Sequence, residues 1–342
     1  MPQTIVVLAP NWLGDAVMAL PALAAVRRHY GADTLAVAAR PSTAALFHMV
    51  PGVDRVLPLG ASSRREDAET LAQIRADGAL LFPNSFGSAW AVRRAGVPER
   101  WGFASDFRRP LLTKAVRKPR GRMHQSEYYL ALVSALGITL TGEPPRIVVP
   151  DQARRRAAEL LARHGVGDGA VTVGVAPGAA YGGAKQWPPD RFERLARLLH
   201  ERRGIVSVLV GSRADRATGD RIAPGPHVVD LIGQTDLPVL AGVMARSSAF
   251  VSNDSGAMHM AAAVGLPVTA VFGATDERAT APLAPASPSA PPHEILTCDV
   301  FCRPCMLREC PIDHRCMKRI EPERVCAAVE RQLGGRPPSG DL

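Results

Sequence analysis

Short apolar runs recur along the 342-residue chain, each bounded by glycine, proline or polar residues. Runs of four to six aliphatic or β-branched residues predict strands that are covered on both faces. Two series of such runs occur, at 5–9, 35–39, 55–59 and 79–82 in the first half and at 171–176, 205–210, 249–252 and 268–272 in the second. The pattern therefore predicts two sheets.

Helical patterns separate these strands. Two segments carry an apolar stripe at helical spacing, with Val17, Leu20, Leu23, Ala24 and Val26 in 14–30 and Phe192, Leu195, Leu198 and Leu199 in 191–203. Alternating strands and helices predict parallel sheets with right-handed crossovers, one in each half of the chain. Open parallel sheets bind ligands beyond the carboxyl ends of their strands, so two such Rossmann-like domains facing one another would form a ligand cleft.

The boundary between the domains is expected where proline and glycine become dense, between positions 142 and 164. The predicted domains are 1–155 and 156–333, followed by a flexible tail at 334–342. The proline-rich stretch 281–292 is predicted to be a surface loop.

Charge and composition limit the partners. The formal net charge is +9, which suits an anionic substrate or an anionic membrane surface. No basic run is interleaved with aromatic residues, so nucleic acid is not expected as a partner. The chain has no uncharged apolar run of 18 residues and no basic segment at its start, which predicts a cytoplasmic protein without a membrane span.

All six cysteines lie in the last fifth of the chain, at positions 298, 302, 305, 310, 316 and 326. Disulfides are disfavoured in a cytosolic protein. The Cys302-x-x-Cys305 pair, with Cys310 and Cys316, leaves a zinc or iron–sulfur site open as an alternative. No second CxxC pair follows, and therefore reduced, partly buried thiols and no metal site are predicted.

The first predicted strand leads directly into a candidate catalytic loop at 10–17. Gly14 permits a close backbone approach, and Asp15 falls in the first turn of the next helix. Asp15 is either a helix N-terminal carboxylate or a general base. The exposed position expected for Trp12 beside the acid favours a substrate surface.

A glycine-rich loop, 176–188, follows the first strand of the second half. Its glycines, among them Gly178, let backbone N–H groups approach phosphate oxygens, and Lys185 supplies a cation for a diphosphate. The Gly-Lys-Ser/Thr signature of a P-loop is absent. An ordinary flexible turn is the alternative interpretation.

Two further strand-end turns carry polar residues. Asp215 is placed to accept a hydrogen bond from a ribose hydroxyl or to cap a helix. Thr235 is placed to contact a base or to cap the helix that contains Leu240.

The segment 251–265 is the most informative one. An apolar run ends in Asn-Asp-Ser-Gly, and a helix of small residues begins at once. The free N–H groups and positive dipole of that helix lie beside Asp254, Ser255, Gly256 and His259, which suits a diphosphate and a sugar. Individually, Asp254 is explained equally well as a turn residue and His259 as a core histidine. Together with the other loops, they predict a nucleotide-sugar site.

The segments 11–21, 177–188, 253–259 and 308–311, in this order and at these spacings, resemble family-9 glycosyltransferases. The resemblance implies a GT-B fold and an inverting transfer, without metal or cofactor, of L-glycero-D-manno-heptose from ADP-heptose. The implied acceptor is the inner-core heptose of lipopolysaccharide on a Kdo–lipid A precursor, reached at the cytoplasmic face of the inner membrane.

The resemblance also implies roles for the candidate residues. Asp15 would deprotonate the acceptor hydroxyl, and Lys185 would hold the diphosphate. The heptose and the phosphates would contact Asp254, Ser255, Gly256 and His259, and the nucleoside would contact Asp215 and Thr235. The alternatives are transfer of the first core heptose, a nucleotide-sugar epimerase, and a zinc- or nucleic-acid-binding module.

Overall fold

The computed structural model describes residues 3–60, 63–140, 142–284 and 290–334. The chain forms two compact units that divide between Val148 and Val149. The predicted boundary at 155/156 would cut a helix, Asp151–Arg163, that lies wholly in the second unit. The predicted tail at 334–342, apart from Gly334, and the centre of the predicted loop at 281–292 lie outside the described residues.

The first domain is built on a six-stranded parallel sheet. Its strands are β1 (Thr4–Leu8), β2 (Thr34–Ala39), β3 (Arg55–Pro58), β4 (Gly78–Leu81), β5 (Glu99–Phe103) and β6 (Lys114–Val116). They are arranged in the order β3-β2-β1-β4-β5-β6, with every neighbouring pair parallel. The order reverses between β1 and β4, which is where open sheets of this kind bind ligands.

The α-helices among the described residues of this domain are α1 (Leu13–Met18), α2 (Leu20–Tyr30), α3 (Pro41–Phe47), α4 (Arg64–Ala72), α5 (Phe86–Arg94) and α6 (Gln125–Ala135). The single helix predicted over 14–30 is wrong, because α1 ends at Met18 and α2 begins at Leu20. Pro21 has no N–H to continue the hydrogen-bond ladder of α1, but it is tolerated in the first turn of a new helix.

The second domain repeats the arrangement. Its strands are β7 (Thr172–Ala176), β8 (Val206–Leu209), β9 (Val228–Asp230), β10 (Ala249–Asn253), β11 (Val268–Val271) and β12 (Glu294–Leu296). The order is β12-β11-β10-β7-β8-β9, again parallel throughout, and it reverses between β7 and β10. The observed strand order thus confirms the two Rossmann-like α/β domains that the alternating sequence pattern predicts.

The described helices of this domain are α7 (Asp151–Arg163), α8 (Pro189–Arg203), α9 (Arg216–Gly219), α10 (Leu237–Arg246), α11 (Gly256–Val264), α12 (Glu277–Thr280), α13 (Arg315–Lys318) and α14 (Pro322–Gln332). Among the described residues, no helix combines the length and hydropathy that crossing a bilayer requires.

Four of the described strands, β5, β6, β9 and β12, were not predicted from the sequence. They lie at or next to the edges of the two sheets, and three of them have only three residues. These four strands are partly exposed, so polar residues such as Glu99 and Lys114 replace the continuous apolar run that marks a central strand.

The largest fully buried side chain of the second domain, Trp187, joins the glycine-rich loop to the core. Its ring packs edge-on against Phe192 with a centroid distance of 4.8 Å. Its indole N–H donates to the carbonyl of Ile320 at 2.9 Å. The start of α8 is therefore fixed to the segment that precedes α14.

Replacing Trp187 with Phe should lower the melting temperature by about 4–8 °C. The lost hydrogen bond and the cavity cost about 2 kcal/mol, and 1 kcal/mol shifts the midpoint of a domain this size by about 2–4 °C. Trp12→Phe is the matched control, because Trp12 is 63% exposed and its replacement should leave the midpoint unchanged. Equal midpoints for the two variants, measured by circular dichroism, would contradict this role of Trp187.

Candidate active site

The switch point of the second sheet lies between β7 and β10, and the two loops that leave it carry the predicted donor residues. The loop after β7 runs from Pro177 to Trp187 and contains a short 3₁₀ turn, Gly183–Lys185. The strand β10 ends at Asn253, and Asp254 and Ser255 lead into α11.

Asn253 fastens these two loops together. Its carboxamide is fully buried, donates to the carbonyl of Pro177 at 2.8 Å and accepts from the backbone N–H of Trp187 at 3.0 Å. One side chain thus holds both ends of the glycine-rich loop against the end of β10. Sequence reasoning placed Asn253 in the informative segment without giving it this role.

Lys185 and Asp254 form a buried ion pair within this framework. The distance from Lys185 Nζ to Asp254 Oδ2 is 2.6 Å, and the side chains are 13% and 6% exposed. Thr275, buried in the loop after β11, donates its hydroxyl to the same oxygen at 2.7 Å. The structure therefore brings together two residues predicted from separate motifs and adds Thr275, which no sequence motif indicated.

Ser255, Gly256 and His259 follow on α11, directly after this ion pair. Ser255 occupies the N-cap position without a side-chain capping bond, and its hydroxyl lies 2.9 Å from that of Ser252. His259 is buried on the second turn. The first N–H groups of an α-helix have no acceptor within the helix, and its dipole favours an anion there.

Gly178 and Asp215, predicted from different loops, are also neighbours. A Cβ on Gly178 would lie 1.9 Å from Asp215 Oδ1, so any larger residue at this position would displace the Asp215 carboxylate. Asp215 Oδ2 accepts from both the backbone N–H and the hydroxyl of Ser212, each at 2.8 Å. The carboxylate is thus held facing the glycine-rich loop by a capping box.

Thr235 lies in the turn before α10 but does not cap that helix. The capping side chain is Asp236, which accepts from the N–H of Val239 at 2.9 Å. The capping alternative for Thr235 is therefore wrong, and its contact with a nucleoside stays a prediction.

The cysteine-rich segment lies beside the glycine-rich loop. Cys302, Cys305, Cys310 and Cys316 line one small pocket next to Ala184. All six cysteines are present as thiols, and no group of three histidine, cysteine or acidic residues within the described chain is arranged to hold a metal ion. Burial, followed by the neighbouring thiols, raises the pKa of Cys316.

In the first domain, the predicted residues lie at the carboxyl end of the central strand β1. Trp12 is the exposed N-cap residue of α1, and Gly14 and Asp15 form its half-buried first turn. Burial raises the pKa of Tyr129 on α6, and the nearby carboxylate of Asp15 raises it further. Tyr129 is therefore a neighbour of Asp15 that sequence reasoning missed.

Arg108 stabilises the loop after β4, on the other side of this switch point. The fully buried guanidinium donates to the carbonyls of Phe103, at 2.9 Å, and Pro83. Burial lowers the pKa of Arg108 to about 10, so the group is still protonated at neutral pH. The adjacent Asn84 donates to the hydroxyl of Tyr128 at 2.8 Å. The sequence analysis did not indicate Arg108, because no sequence pattern marks an arginine as buried.

The candidate residues thus form two groups, one at the switch point of each sheet. Two Rossmann-like domains in one chain are the architecture of the GT-B class of glycosyltransferases. The sequence profile of glycosyltransferase family 9 (heptosyltransferase) matches residues 64–314, which is most of the chain.

Individual relatives agree with this profile. Lipopolysaccharide heptosyltransferase 2 of Salmonella typhimurium is 30% identical over 298 residues, covering 82% of this chain and 85% of its own length. The protein of the same name from Escherichia coli K12 is 29% identical over 300 residues, covering 82% and 85%. The solved structure of E. coli ADP-heptose lps heptosyltransferase II superposes with a TM-score of 0.80 at 26% identity, covering 96% of this chain and 98% of the other.

This chain belongs to glycosyltransferase family 9. The membership confirms the predicted GT-B fold and the predicted enzyme class.

Alkylation with iodoacetamide at pH 8 should separate the six thiols. Burial raises the pKa of Cys326 to about 11 and also raises that of Cys316, so little thiolate is present at either position. The partly exposed Cys298, Cys302, Cys305 and Cys310 should react first, as mapped by peptide mass spectrometry. In urea all six should react alike, and fast labelling of Cys326 in the folded protein would refute this assignment.

Proposed function

We propose that the protein transfers L-glycero-D-manno-heptose from ADP-heptose to the inner-core heptose of lipopolysaccharide. The names of its relatives supply the reaction class. The observation that carries the proposal is the Lys185–Asp254 pair at the switch point of the second sheet, beside the N-terminus of α11. A cation next to a helix N-terminus suits the diphosphate of a nucleotide sugar.

On the donor side, the second domain stabilises the departing ADP. As the bond between the anomeric carbon and the diphosphate oxygen breaks, negative charge develops on that oxygen. The ammonium group of Lys185 and the first N–H groups of α11 are fixed before the reaction, so they stabilise this charge without reorganising. Asp254 holds Lys185 in place and, beside Ser255 and Gly256, accepts hydrogen bonds from the heptose.

On the acceptor side, Asp15 of the first domain serves as the base. It takes the proton of the acceptor hydroxyl while that oxygen attacks the anomeric carbon and ADP leaves, which inverts the configuration. A single displacement needs one base and no second carboxylate, in contrast to a retaining glycosidase. Trp12, 63% exposed beside Asp15, offers a flat apolar surface for the sugar rings.

The net charge of +9 supports an anionic acceptor held at a membrane surface. The acceptor carries phosphate and carboxylate groups on a lipid anchor. The same proposal therefore includes a cytoplasmic enzyme that makes peripheral contact with the anionic inner membrane, weakened by added salt.

Acceptors with zero, one or two heptoses should be distinguished by the purified protein. With ADP-heptose, we expect product only from the one-heptose acceptor, as detected by mass spectrometry. Product from the acceptor without heptose would assign the first transfer step instead. Conversion of ADP-heptose in the absence of any acceptor would favour the epimerase alternative.

Asp15→Asn should lower kcat by about 10²–10⁴-fold, the usual contribution of a general base, and leave the affinity for ADP unchanged. The control is Glu69→Gln, which removes an exposed acid of the same domain whose ion pair with Arg65 lies at the surface. Undiminished turnover in Asp15→Asn would exclude the proposed base.

Lys185→Met should weaken ADP binding about tenfold or more, because a charge-assisted hydrogen bond contributes about 1.5–3 kcal/mol. The variant also leaves Asp254 buried without its cation, at a cost of about 3–5 kcal/mol in stability. The double variant Lys185→Met/Asp254→Asn removes that penalty and should recover the melting temperature but not the affinity. Recovery of ADP affinity, measured by calorimetry, would show that Lys185 does not contact phosphate.

A further inference from the structure

Lys185 already has a carboxylate partner before any donor binds. Its ammonium group lies 2.6 Å from Asp254, and this pair as a whole carries no net charge. The diphosphate of a nucleotide sugar is doubly negative, and it gains a further charge as ADP departs. A second cation at the same edge of the second sheet would add to the stabilisation that Lys185 and the first N–H groups of α11 provide.

The cysteine-rich segment, residues 302–316, accepts hydrogen bonds from the backbone of the glycine-rich loop at this edge. The N–H of Ala184 donates to the carbonyl of Arg308 at 2.9 Å, and the N–H of Gly183 donates to Glu309 Oε1 at 3.1 Å. Gly182 has a φ of +150°, and a Cβ there would lie 2.4 Å from the oxygen of Arg308. Only glycine permits this approach, which fixes position 308 against the loop that carries Lys185.

Lys185 and Arg308 both lie close to the aromatic ring of Tyr181. Lys185 Nζ lies 4.7 Å from the centre of the Tyr181 ring, and Arg308 Cζ lies 5.4 Å from it. The Tyr181 hydroxyl donates to the carbonyl of Met306 at 2.9 Å, which ties the ring to the same segment. Both cations therefore lie next to the same ring, and an anion that contacts both would be stabilised by two positive charges.

Other arginines near this edge already have carboxylate partners. Arg303 binds Glu277 at 2.6 Å, Arg278 binds Asp276 at 3.0 Å and Arg315 binds Asp313 at 2.9 Å. Arg308 is exposed, and within the described parts of the chain its guanidinium makes no ion pair. Its positive charge is therefore available to a ligand.

We propose that Arg308 is a substrate-binding residue that supplies the second positive charge to the diphosphate of ADP-heptose and to the departing ADP. The assignment rests on the proposed function, since it needs a nucleotide diphosphate in the donor site. A guanidinium matches two phosphate oxygens at once, which a lysine cannot do. The cysteine-rich segment thereby becomes a wall of the donor site.

Calorimetric titration with ADP and with AMP tests the assignment. Arg308→Gln should weaken ADP binding about tenfold, the loss expected for one charge-assisted contact, and weaken AMP binding by much less. Arg308→Lys should recover part of the ADP affinity. The control Arg163→Gln removes an equally exposed charge at the C-terminal end of α7 and should bind ADP as the wild type does.

The outcomes separate this inference from the proposed function. Wild-type affinity for ADP in Arg308→Gln would overturn the inference while the donor site stands. Equal losses for ADP and AMP would also overturn it, because they would indicate a structural effect on the loop. If the wild-type protein itself binds no ADP, the proposed function fails.

Discussion

The donor site depends on one buried carboxamide. Asn253 is the last residue of the central strand β10. Its side chain donates a hydrogen bond to a carbonyl at the start of the glycine-rich loop and accepts one from an N–H at the end of that loop. A loop of glycines and alanines has little side-chain surface to hold it in place, and its ordering costs entropy at every glycine. Two hydrogen bonds inside the protein, where an unmade bond is costly, replace that missing packing.

The position of Lys185 follows from this constraint. With both ends of the loop fixed, the 3₁₀ turn Gly183–Lys185 places the ammonium group against Asp254. Two buried charges are stable only when each is paired and hydrogen-bonded, and Thr275 completes the set on the carboxylate. The pair is thus a preformed element, and binding of a diphosphate redistributes its charge without first having to assemble it.

Much of this organisation could be predicted from the sequence, since it is encoded locally. Central strands appear in the sequence as continuous apolar runs. Their predicted bounds differ from the observed bounds by only a residue or two, as for 249–252 against Ala249–Asn253. The residues of the donor loops could be named because several strand-end loops of the second half are rich in glycine, serine, aspartate and lysine, although each residue alone also fits a turn or a helix cap.

The contacts between distant loops could not be predicted, because no local sequence pattern specifies them. Thr275 lies 21 residues beyond Asp254 in an unremarkable polar turn, and Tyr129 reaches Asp15 only through the packing of α6 on α1. The break between α1 and α2 was not predicted, because the apolar stripe of 14–30 continues across it.

The central claim is that the loop held by Asn253 presents Lys185 to a diphosphate. The most direct measurement is the distance from Lys185 Nζ to the nearest phosphate oxygen in a crystal structure of the protein with ADP. The account predicts a distance within hydrogen-bonding range, about 2.7–3.2 Å, with the phosphates at the start of α11. ADP bound elsewhere, or bound here with its phosphates beyond the reach of Lys185, would contradict it.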